Sequence, residues 1–419
     1  MFGKTTGRKL FLLTACSLFF FSSILGASFR PKSKVYIKKL RDSRYQLIVD
    51  KKPYIIKGVC YNPIAVGSNH EYDWWSDPAK PWVADGKLMQ AMGVNTIRLY
   101  QSHEHKEEVK QVIRDLYELY GIRTIIGSWL GFWEFPAPFY GDKAFQDRVK
   151  SEVLEMVNLC KDEPGILFWV LGNENNYSFS GQVNPWSTDE ISKEPDPQKQ
   201  KYMRAKIYYS FVNALAKEVH KVDSRHPVAL GNGELVGLEV ANEVCPDIDL
   251  VACIIYRGKN FGPLFKSLKT TFDRPIAIVE FGADAYDAYL GKEDQNMQAY
   301  FLEYQWHQIY ENLADYKEGS GNCLGGTIFE WTDEWWKRDE ANPDSWKIHD
   351  TESNWSNGSY YFDIRAKDNK NMNEEWFGVV GISPELENGL NKRTPRKAYY
   401  VIREFWKNPA EKLKIKRIR

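Results

Sequence analysis

The sequence lacks an excess of charge of either sign. Its 419 residues include 56 lysines and arginines and 56 aspartates and glutamates, so the formal net charge at pH 7 is zero. Proteins that bind nucleic acid usually carry a basic surface, and this balance gives no electrostatic reason to expect such a partner. The chain also has no internal repeat and no low-complexity tract. With 43% hydrophobic residues, it has enough apolar side chains for one large core.

Cysteine is scarce, with six residues in the whole chain. One of them, Cys16, belongs to the N-terminal apolar run. The other five are Cys60, Cys160, Cys245, Cys253 and Cys323. An odd number without close spacing argues against a disulfide framework, and no Cys-x-x-Cys pair indicates zinc. We therefore expect most of these cysteines to be small apolar residues of the core.

Several motifs of common enzyme classes are missing. No glycine-rich phosphate loop follows a predicted strand, and there is no nucleophile elbow of the Gly-x-Ser-x-Gly type. The sequence His103-Glu104-His105 follows a predicted strand and has a spacing that can bind a metal. It directly precedes an amphipathic helix that begins with Glu107-Glu108, so an ordinary polar helix start is the preferred interpretation. We therefore expect neither a metal ion nor a cofactor.

The N-terminus has the pattern of an export signal. Basic residues are followed by an apolar run from Leu10 to Leu25 and then by the small residues Gly26-Ala27-Ser28. This pattern predicts a secretory signal peptide, or a signal anchor in the membrane if the leader is not cleaved. Residues 1–29 are therefore excluded from the fold, and residues 30–419 are expected to form a single domain. The expected location is the periplasm, the cell envelope or the extracellular space.

Apolar runs alternate with helical patterns along the chain. The six apolar residues Ile166–Leu171 are typical of a strand buried on both faces, as in a parallel sheet covered by helices. The eight predicted strands are Tyr54–Tyr61, Val94–Tyr100, Arg123–Trp129, Ile166–Glu174, Pro227–Asn232, Leu250–Tyr256, Pro275–Gly282 and Gly326–Trp331. Between them, apolar residues recur at three and four positions, which indicates helices packed on a sheet.

Eight strands that alternate with helices predict a (β/α)8 TIM barrel of the α/β class. A doubly wound open sheet is the alternative, and it is less favoured because eight strands and a closing helix leave no edge to explain. Val35–Val49 is expected to be one arm of a hairpin that turns at Asp50–Pro53 and pairs with Tyr54–Gly58. This hairpin is expected to lead into the first barrel strand and close the barrel floor. Long loops, residues 175–198 and 332–393, follow strands four and eight, and a last helix is expected to start at Thr394-Pro395.

Two glutamates occupy matching places in this scheme. Glu174 closes the fourth strand, and Glu280 directly follows the apolar run Pro275–Val279 of the seventh. Either one alone could be an ordinary loop carboxylate or part of a salt bridge. In a barrel, however, strands four and seven approach from opposite sides of the C-terminal mouth. Cleavage of a glycosidic bond needs two carboxyl groups that face it, and this placement permits that arrangement.

Motifs around these strands resemble a known group of enzymes. The sequences Trp169–Glu174 and Val279–Gly282 resemble the strand-four and strand-seven motifs of clan A glycoside hydrolases. Three further motifs, Lys57–Tyr61, Gly93–Arg98 and Ile328–Trp331, are similar to barrel strands of the β-galactosidase/β-glucuronidase family. The likeness covers about Tyr54 to Trp406, and it extends more loosely to the β-1,3-glucanosyltransferases.

The resemblance implies a role for each matching residue. Glu174 would be the acid/base and Glu280 the nucleophile of a retaining mechanism with no metal. The residues implied to bind or position substrate are Asn173, at the sugar 2-hydroxyl, Arg98 and Tyr256, which would hold Glu280, and Trp331, beneath the sugar, with Tyr61, Trp129 and Trp133 as further candidates for the cleft lining. Three of these residues have a structural alternative. Arg98 could form a buried ion pair, Tyr256 could occupy a core position and Trp331 could be a lid over the barrel.

The sequence thus predicts a retaining glycoside hydrolase that cleaves a β-linked glycan through two glutamates. Its partner would be an oligosaccharide or polysaccharide, with no nucleic acid. A transglycosylase with the same two residues is the nearest alternative, because only the acceptor differs. A carbohydrate-binding barrel without activity is a second alternative, and the presence of both Glu174 and Glu280 argues against it.

Overall fold

The structure is a computed structural model that describes residues 33–102, 106–288, 290–351 and 372–416. The predicted leader and the sequence His103-Glu104-His105 lie outside these ranges. Among the described residues, no helix has both the length and the apolar character that a membrane span requires. The five cysteines of the described part are all free and buried, which confirms the expectation for them.

The first element of the described part is a small antiparallel sheet. It contains the strands β1 (Val35–Lys39), β2 (Tyr45–Val49) and β3 (Lys52–Tyr54), in that spatial order. The sequence predicted one arm across Val35–Val49, and this prediction is wrong. Asp42 and Ser43 adopt positive φ angles of 63° and 51°, and the turn that they form splits the arm into two strands.

This sheet lies against one end of the barrel interior. Its apolar side chains Tyr45 and Leu47 belong to the same buried cluster as Ile125, Leu167 and Ala277 of the barrel strands. The backbone amide of Val35 also donates to the carbonyl of Arg225, just before a barrel strand. The expectation that the N-terminal segment closes the barrel floor is therefore confirmed, because the sheet covers apolar side chains that would otherwise meet water.

Eight parallel strands close into the barrel. They are β4 (Ile56–Cys60), β5 (Thr96–Leu99), β6 (Arg123–Ser128), β7 (Ile166–Leu171), β8 (Val228–Gly233), β9 (Leu250–Ile254), β10 (Ile276–Gly282) and, after the two-residue strands β11 (Tyr286–Asp287) and β12 (Lys292–Glu293), β13 (Cys323–Phe329). Each strand pairs in parallel with the next, and β13 pairs with β4. The (β/α)8 barrel predicted from the sequence is confirmed.

Helices lie between consecutive barrel strands and follow the last. They are α1 (Pro81–Met92), α2 (Lys106–Tyr120), α3 (Lys143–Cys160), α4 (Asp189–Lys193), α5 (Pro197–Val222), α6 (Leu238–Val244), α7 (Leu264–Thr271), α8 (Gln295–Glu311), α9 (Lys397–Lys407) and α10 (Pro409–Lys416). Asp142 caps α3 by accepting from the amide of Phe145, and Asp196 caps α5 in the same way. Each apolar stripe packs on the barrel, as Val109, Val112 and Leu116 do on α2.

The C-terminal part of the chain differs from the expectation. A hairpin of β14 (Val380–Glu387) and β15 (Leu390–Pro395) lies mostly within residues 332–393, which were predicted to form a loop. Thr394 and Pro395 pair with β14, so α9 begins only at Lys397. The predicted helix start at Thr394-Pro395 is therefore wrong, because strand pairing outweighs the local helix-start signal.

Candidate active site

The buried carboxylate at the end of β10 is surrounded by donors. Glu280 is 8% exposed, and its Oε2 accepts from Arg98 Nη1 at 2.9 Å and from the Tyr100 hydroxyl at 2.7 Å. Its Oε1 accepts from the Tyr256 hydroxyl at 2.8 Å. Arg98 lies on β5, Tyr100 directly follows that strand, and Tyr256 follows β9. The barrel thus brings three donors to one carboxylate, and the contacts of Arg98 and Tyr256 with Glu280 agree with the expectation from the sequence.

Arg98 connects this carboxylate to the end of β7. Its Nη2 donates to the Oδ1 atom of Asn173, and its Nη1 also donates to the carbonyl of Val279 at 3.1 Å. The guanidinium carbon lies 4.2 Å from the ring centre of Tyr100. Because Arg98 occupies the oxygen of the Asn173 amide, the NH2 group remains for another acceptor. That NH2 group has no partner among the described residues.

The backbone just beyond β7 is fixed by a tight turn. Gly172 has a φ of 83°, and a side chain there would collide with the hydroxyl of Tyr208. The Asn175 side chain accepts from the amide of Asn173 at 2.7 Å and donates to the hydroxyl of Tyr140 at 2.6 Å. The fourth strand therefore ends at Leu171 rather than at Glu174. The turn holds Asn173 and the residue after it at the barrel mouth.

Glu174 has surroundings unlike those of Glu280. Its carboxyl group has no hydrogen-bond partner among the described residues. Burial, together with the negative charges of Glu280 and Glu374, raises the pKa of Glu174 to about 8. A carboxyl group with this pKa keeps its proton at neutral pH. Such a group can act as a general acid.

A second ionic group lies close to these two glutamates. Lys337 Nζ is 3.0 Å from Glu374 Oε2 and 3.7 Å from Glu334 Oε2. The Oε1 atom of Glu334 accepts from the side-chain amide of Asn62 at 3.2 Å, and burial raises the pKa of Glu334 to about 7. The sequence analysis did not identify these residues, because they lie in long loops that carry no strand or helix pattern. In the described part of the chain, no set of three or more His, Cys, Asp or Glu side chains is placed to hold a metal ion.

The aromatic candidates fall into two sets. The ring of Trp129 stacks on Tyr100, with 5.3 Å between ring centres and 10° between planes, so it lies beside the site. Tyr61 and Trp331 are in the core instead, at 1% and 0% exposure. The Tyr61 hydroxyl donates to Asp85 at 3.0 Å. Neither ring presents a face to the mouth, so the sugar contacts predicted for Tyr61 and Trp331 do not agree with their burial.

Two further aromatic residues near Glu280 were missed. Phe329, at the end of β13, has its ring centre 6.2 Å from that of Tyr256. It takes the place beside the site that the sequence analysis gave to Trp331. Tyr100 was also missed, although it ends the predicted second strand only two residues after Arg98. That position, on the same face of the strand and at its C-terminal end, is a signal that could have identified Tyr100.

Comparisons with solved structures agree with this architecture. A GH2 β-galacturonidase from Eisenbergiella tayi, bound to galacturonate, aligns over 90% of this chain and 54% of its own, with a TM-score of 0.54 and 14% identity. β-Glucuronidases from Parabacteroides merdae (TM-score 0.54, 16% identity) and Bacteroides uniformis (TM-score 0.56, 13% identity) each align over 89% of this chain and over 39% and 40% of their own. The likeness shows a shared fold.

The aligned part is a limited share of those proteins. The chain spans about half of the β-galacturonidase and about two fifths of the two β-glucuronidases. No protein-family model matches the sequence, and no curated protein matches it. The fold shared with these solved structures agrees with the resemblance noted from the sequence motifs.

Proposed function

We propose that the protein is a retaining glycoside hydrolase that cleaves a β-linked glycan. The observation that carries this proposal is the contrast between two glutamates at the barrel mouth. Glu280 is a carboxylate held by three donors, whereas Glu174 has a pKa raised to about 8. A nucleophile and a general acid need these two different environments.

The first step forms a bond between Glu280 and the sugar. A carboxylate oxygen of Glu280 attacks the anomeric carbon, the bond from that carbon to the leaving oxygen breaks, and Glu174 gives its proton to that oxygen. In the second step water attacks the anomeric carbon, Glu174 takes a proton from the water, and the Glu280 carboxylate leaves. The NH2 group of Asn173, which is unpaired among the described residues, would donate to a sugar hydroxyl. Arg98, Tyr100 and Tyr256 orient the attacking carboxylate.

The charges at the mouth favour a neutral sugar in the cleavage site. A uronic acid carries a carboxylate, and binding of a carboxylate ordinarily uses a cation that is not already paired. Among the described residues near the two glutamates, Arg98 is bound to Glu280, and Lys337 is shared by Glu334 and Glu374. We therefore propose a neutral β-linked sugar, in contrast to the uronic acids named for the structural neighbours.

The test is a panel of 4-nitrophenyl β-glycosides followed by β-linked oligosaccharides, with Glu280→Gln as the inactive control. We expect release of nitrophenol from one or more neutral β-glycosides, and proton NMR should show the β-anomer of the sugar first. Product sizes larger than the substrate would indicate transfer to sugar rather than to water. Activity equal in the control and the wild type, or first release of the α-anomer, would contradict the proposal. A preference for a β-glucuronide would contradict the neutral sugar alone.

Export is a separate proposal that rests on the sequence of residues 1–29. Expression of the full chain with a C-terminal tag should give a protein outside the cytoplasmic fraction. N-terminal sequencing of that protein should distinguish a cleaved leader from a retained anchor. Recovery of the uncleaved chain in the cytoplasm would contradict export.

A further inference from the structure

A row of aromatic rings runs from Glu280 toward the surface. Tyr100 donates to Glu280, Trp129 stacks on Tyr100, and the ring of Trp133 meets Trp129 edge to face at 6.2 Å and 70°. Each ring contacts the next. The row therefore joins the proposed nucleophile to the segment between β6 and α3 without a break.

The outer end of this row is exposed to solvent. Trp133, the outermost ring of the row, is 66% exposed, and Phe135 and Phe139 of the same segment are 97% and 45% exposed. These are three large apolar side chains within seven residues. Single exposed apolar residues are common, but a group beside a catalytic mouth indicates a binding surface.

The exposed rings stand on an anchored backbone. Phe132 is buried, and its ring supports Trp133 edge to face at 5.0 Å. The carbonyl of Phe132 accepts from the side chain of Asn184 at 2.7 Å, and Glu134 forms an ion pair of 2.5 Å with Arg148 on α3. The segment is therefore packed and hydrogen-bonded from below, and its aromatic side chains nevertheless face outward.

We propose that the segment carrying Trp133 and Phe135 binds further sugar units of a β-linked chain, beyond the sugar held between the two glutamates. This proposal rests on the proposed function. The C–H faces of pyranose rings are apolar and flat, and aromatic rings stack on such faces. A sugar chain is the occupant favoured here, because the row begins at the proposed nucleophile and leads to exposed aromatic rings in the same segment. The substrate class is thus an oligosaccharide or polysaccharide chain rather than a disaccharide or a small glycoside.

The experiment compares two substrates in the full-length protein. The variants are Trp133→Ala, Phe135→Ala and their combination, with Tyr400→Ala as a matched control, since Tyr400 is an aromatic residue 46% exposed on α9. The substrates are the best 4-nitrophenyl β-glycoside of the panel and β-linked oligosaccharides of two to six units. The small glycoside fills only the cleavage site, so we expect the ring variants to lose less kcat/KM on it than on the oligosaccharides. Tyr400→Ala should leave kcat/KM unchanged on both substrates. For the longest oligosaccharide, KM should rise roughly 3- to 10-fold for each ring removed.

Other outcomes overturn the proposal in distinct ways. Equal losses on the small and the long substrate would mean that the row only supports Glu280. An unchanged KM for every chain length would mean that the rings do not bind substrate. Sedimentation with phosphatidylcholine vesicles that depends on Trp133 and Phe135, with no effect on oligosaccharides, would assign the surface to a membrane. If the wild type cleaves no glycoside at all, the proposed function fails instead.

Discussion

The two sides of the barrel mouth each hold a glutamate, and the surroundings of these two glutamates differ. On one side, Glu280 receives three hydrogen bonds of 2.7 to 2.9 Å from Arg98, Tyr100 and Tyr256. On the other side, Glu174 has no hydrogen-bond partner among the described residues, and burial together with nearby negative charge raises its pKa to about 8. The difference comes from side chains on other strands rather than from the local sequence. The chemical role of each carboxyl group therefore depends on the residues that the fold brings close to it.

The largest effect is expected at Glu280. Glu280→Gln keeps the size of the side chain but removes the nucleophilic oxygen, so kcat should fall by a factor on the order of 10⁴ to 10⁶ on every substrate. The measurement is the steady-state rate on the best 4-nitrophenyl β-glycoside, with circular dichroism as the control for folding. A folded variant with more than a few per cent of wild-type activity would show that Glu280 is not the nucleophile.

A smaller effect, which depends on the substrate, is expected at Glu174. Loss of a general acid typically costs a factor of about 10² to 10⁴. Glu174→Gln should therefore lose about that much on oligosaccharides, whose leaving groups need a proton. On dinitrophenyl glycosides, which need little acid assistance, the loss in the bond-breaking step should be much smaller. The ratio of the two losses is the measurement. Equal losses of rate on both substrates would contradict the role of Glu174 as the general acid.

The pH dependence tests the proton on Glu174. Because its pKa is raised to about 8, the acid form is present below that pH, and kcat/KM should fall about tenfold per pH unit above it. The unfolded chain would ionise this group near its ordinary value of about 4.3, so the group also lowers stability as pH rises toward 8. Glu174→Gln should lack both effects. A wild-type rate that stays constant from pH 7 to pH 10 would contradict the raised pKa.

The donors to Glu280 should each contribute less. Tyr100→Phe and Tyr256→Phe each remove one hydrogen bond to a charged group, which is worth about 1.5–3 kcal/mol. We expect kcat/KM to fall roughly 10- to 100-fold for each variant while the fold remains intact. Kinetics on one small glycoside measures this. The idea that these hydroxyls orient the nucleophile would be wrong if both variants behaved as the wild type.

The smallest effect on activity is expected at Tyr61, which the sequence analysis placed in the cleft. Its hydroxyl donates to Asp85 in the core, so Tyr61→Phe should leave kcat/KM within about twofold and reduce the free energy of unfolding by about 1 kcal/mol. Urea unfolding and kinetics on the same preparation measure both quantities. A tenfold rise in KM would restore the role in sugar binding.

The sequence predicted the parts of the fold that local patterns encode. Uninterrupted apolar runs gave the eight strands, and helical stripes such as that of α2 gave the helices between them. The positions of Glu174 and Glu280 followed from the ends of two such runs. The split of the N-terminal arm at Asp42 and Ser43 was not predictable, because two non-glycine residues adopt a left-handed conformation there.

The rest of the site depends on contacts across the barrel. The sequence could not show that Phe329 rather than Trp331 lies beside Tyr256, because the direction of each side chain depends on the backbone path at the end of β13. It also could not show that Lys337 lies between two carboxylates from different parts of the long C-terminal segment. Both facts depend on tertiary packing, of Phe329 against Tyr256 and of Lys337 against Glu374.

The central claim is that Glu280 forms a covalent bond with the sugar. A 2-deoxy-2-fluoro glycoside with a good leaving group slows the second step more than the first and allows the intermediate to accumulate. Mass spectrometry of the treated protein should show one added fluoroglycosyl group, and the labelled peptide should carry it on Glu280. A label on Glu174 or elsewhere, or the absence of any label on an enzyme that releases the inverted anomer, would contradict the account.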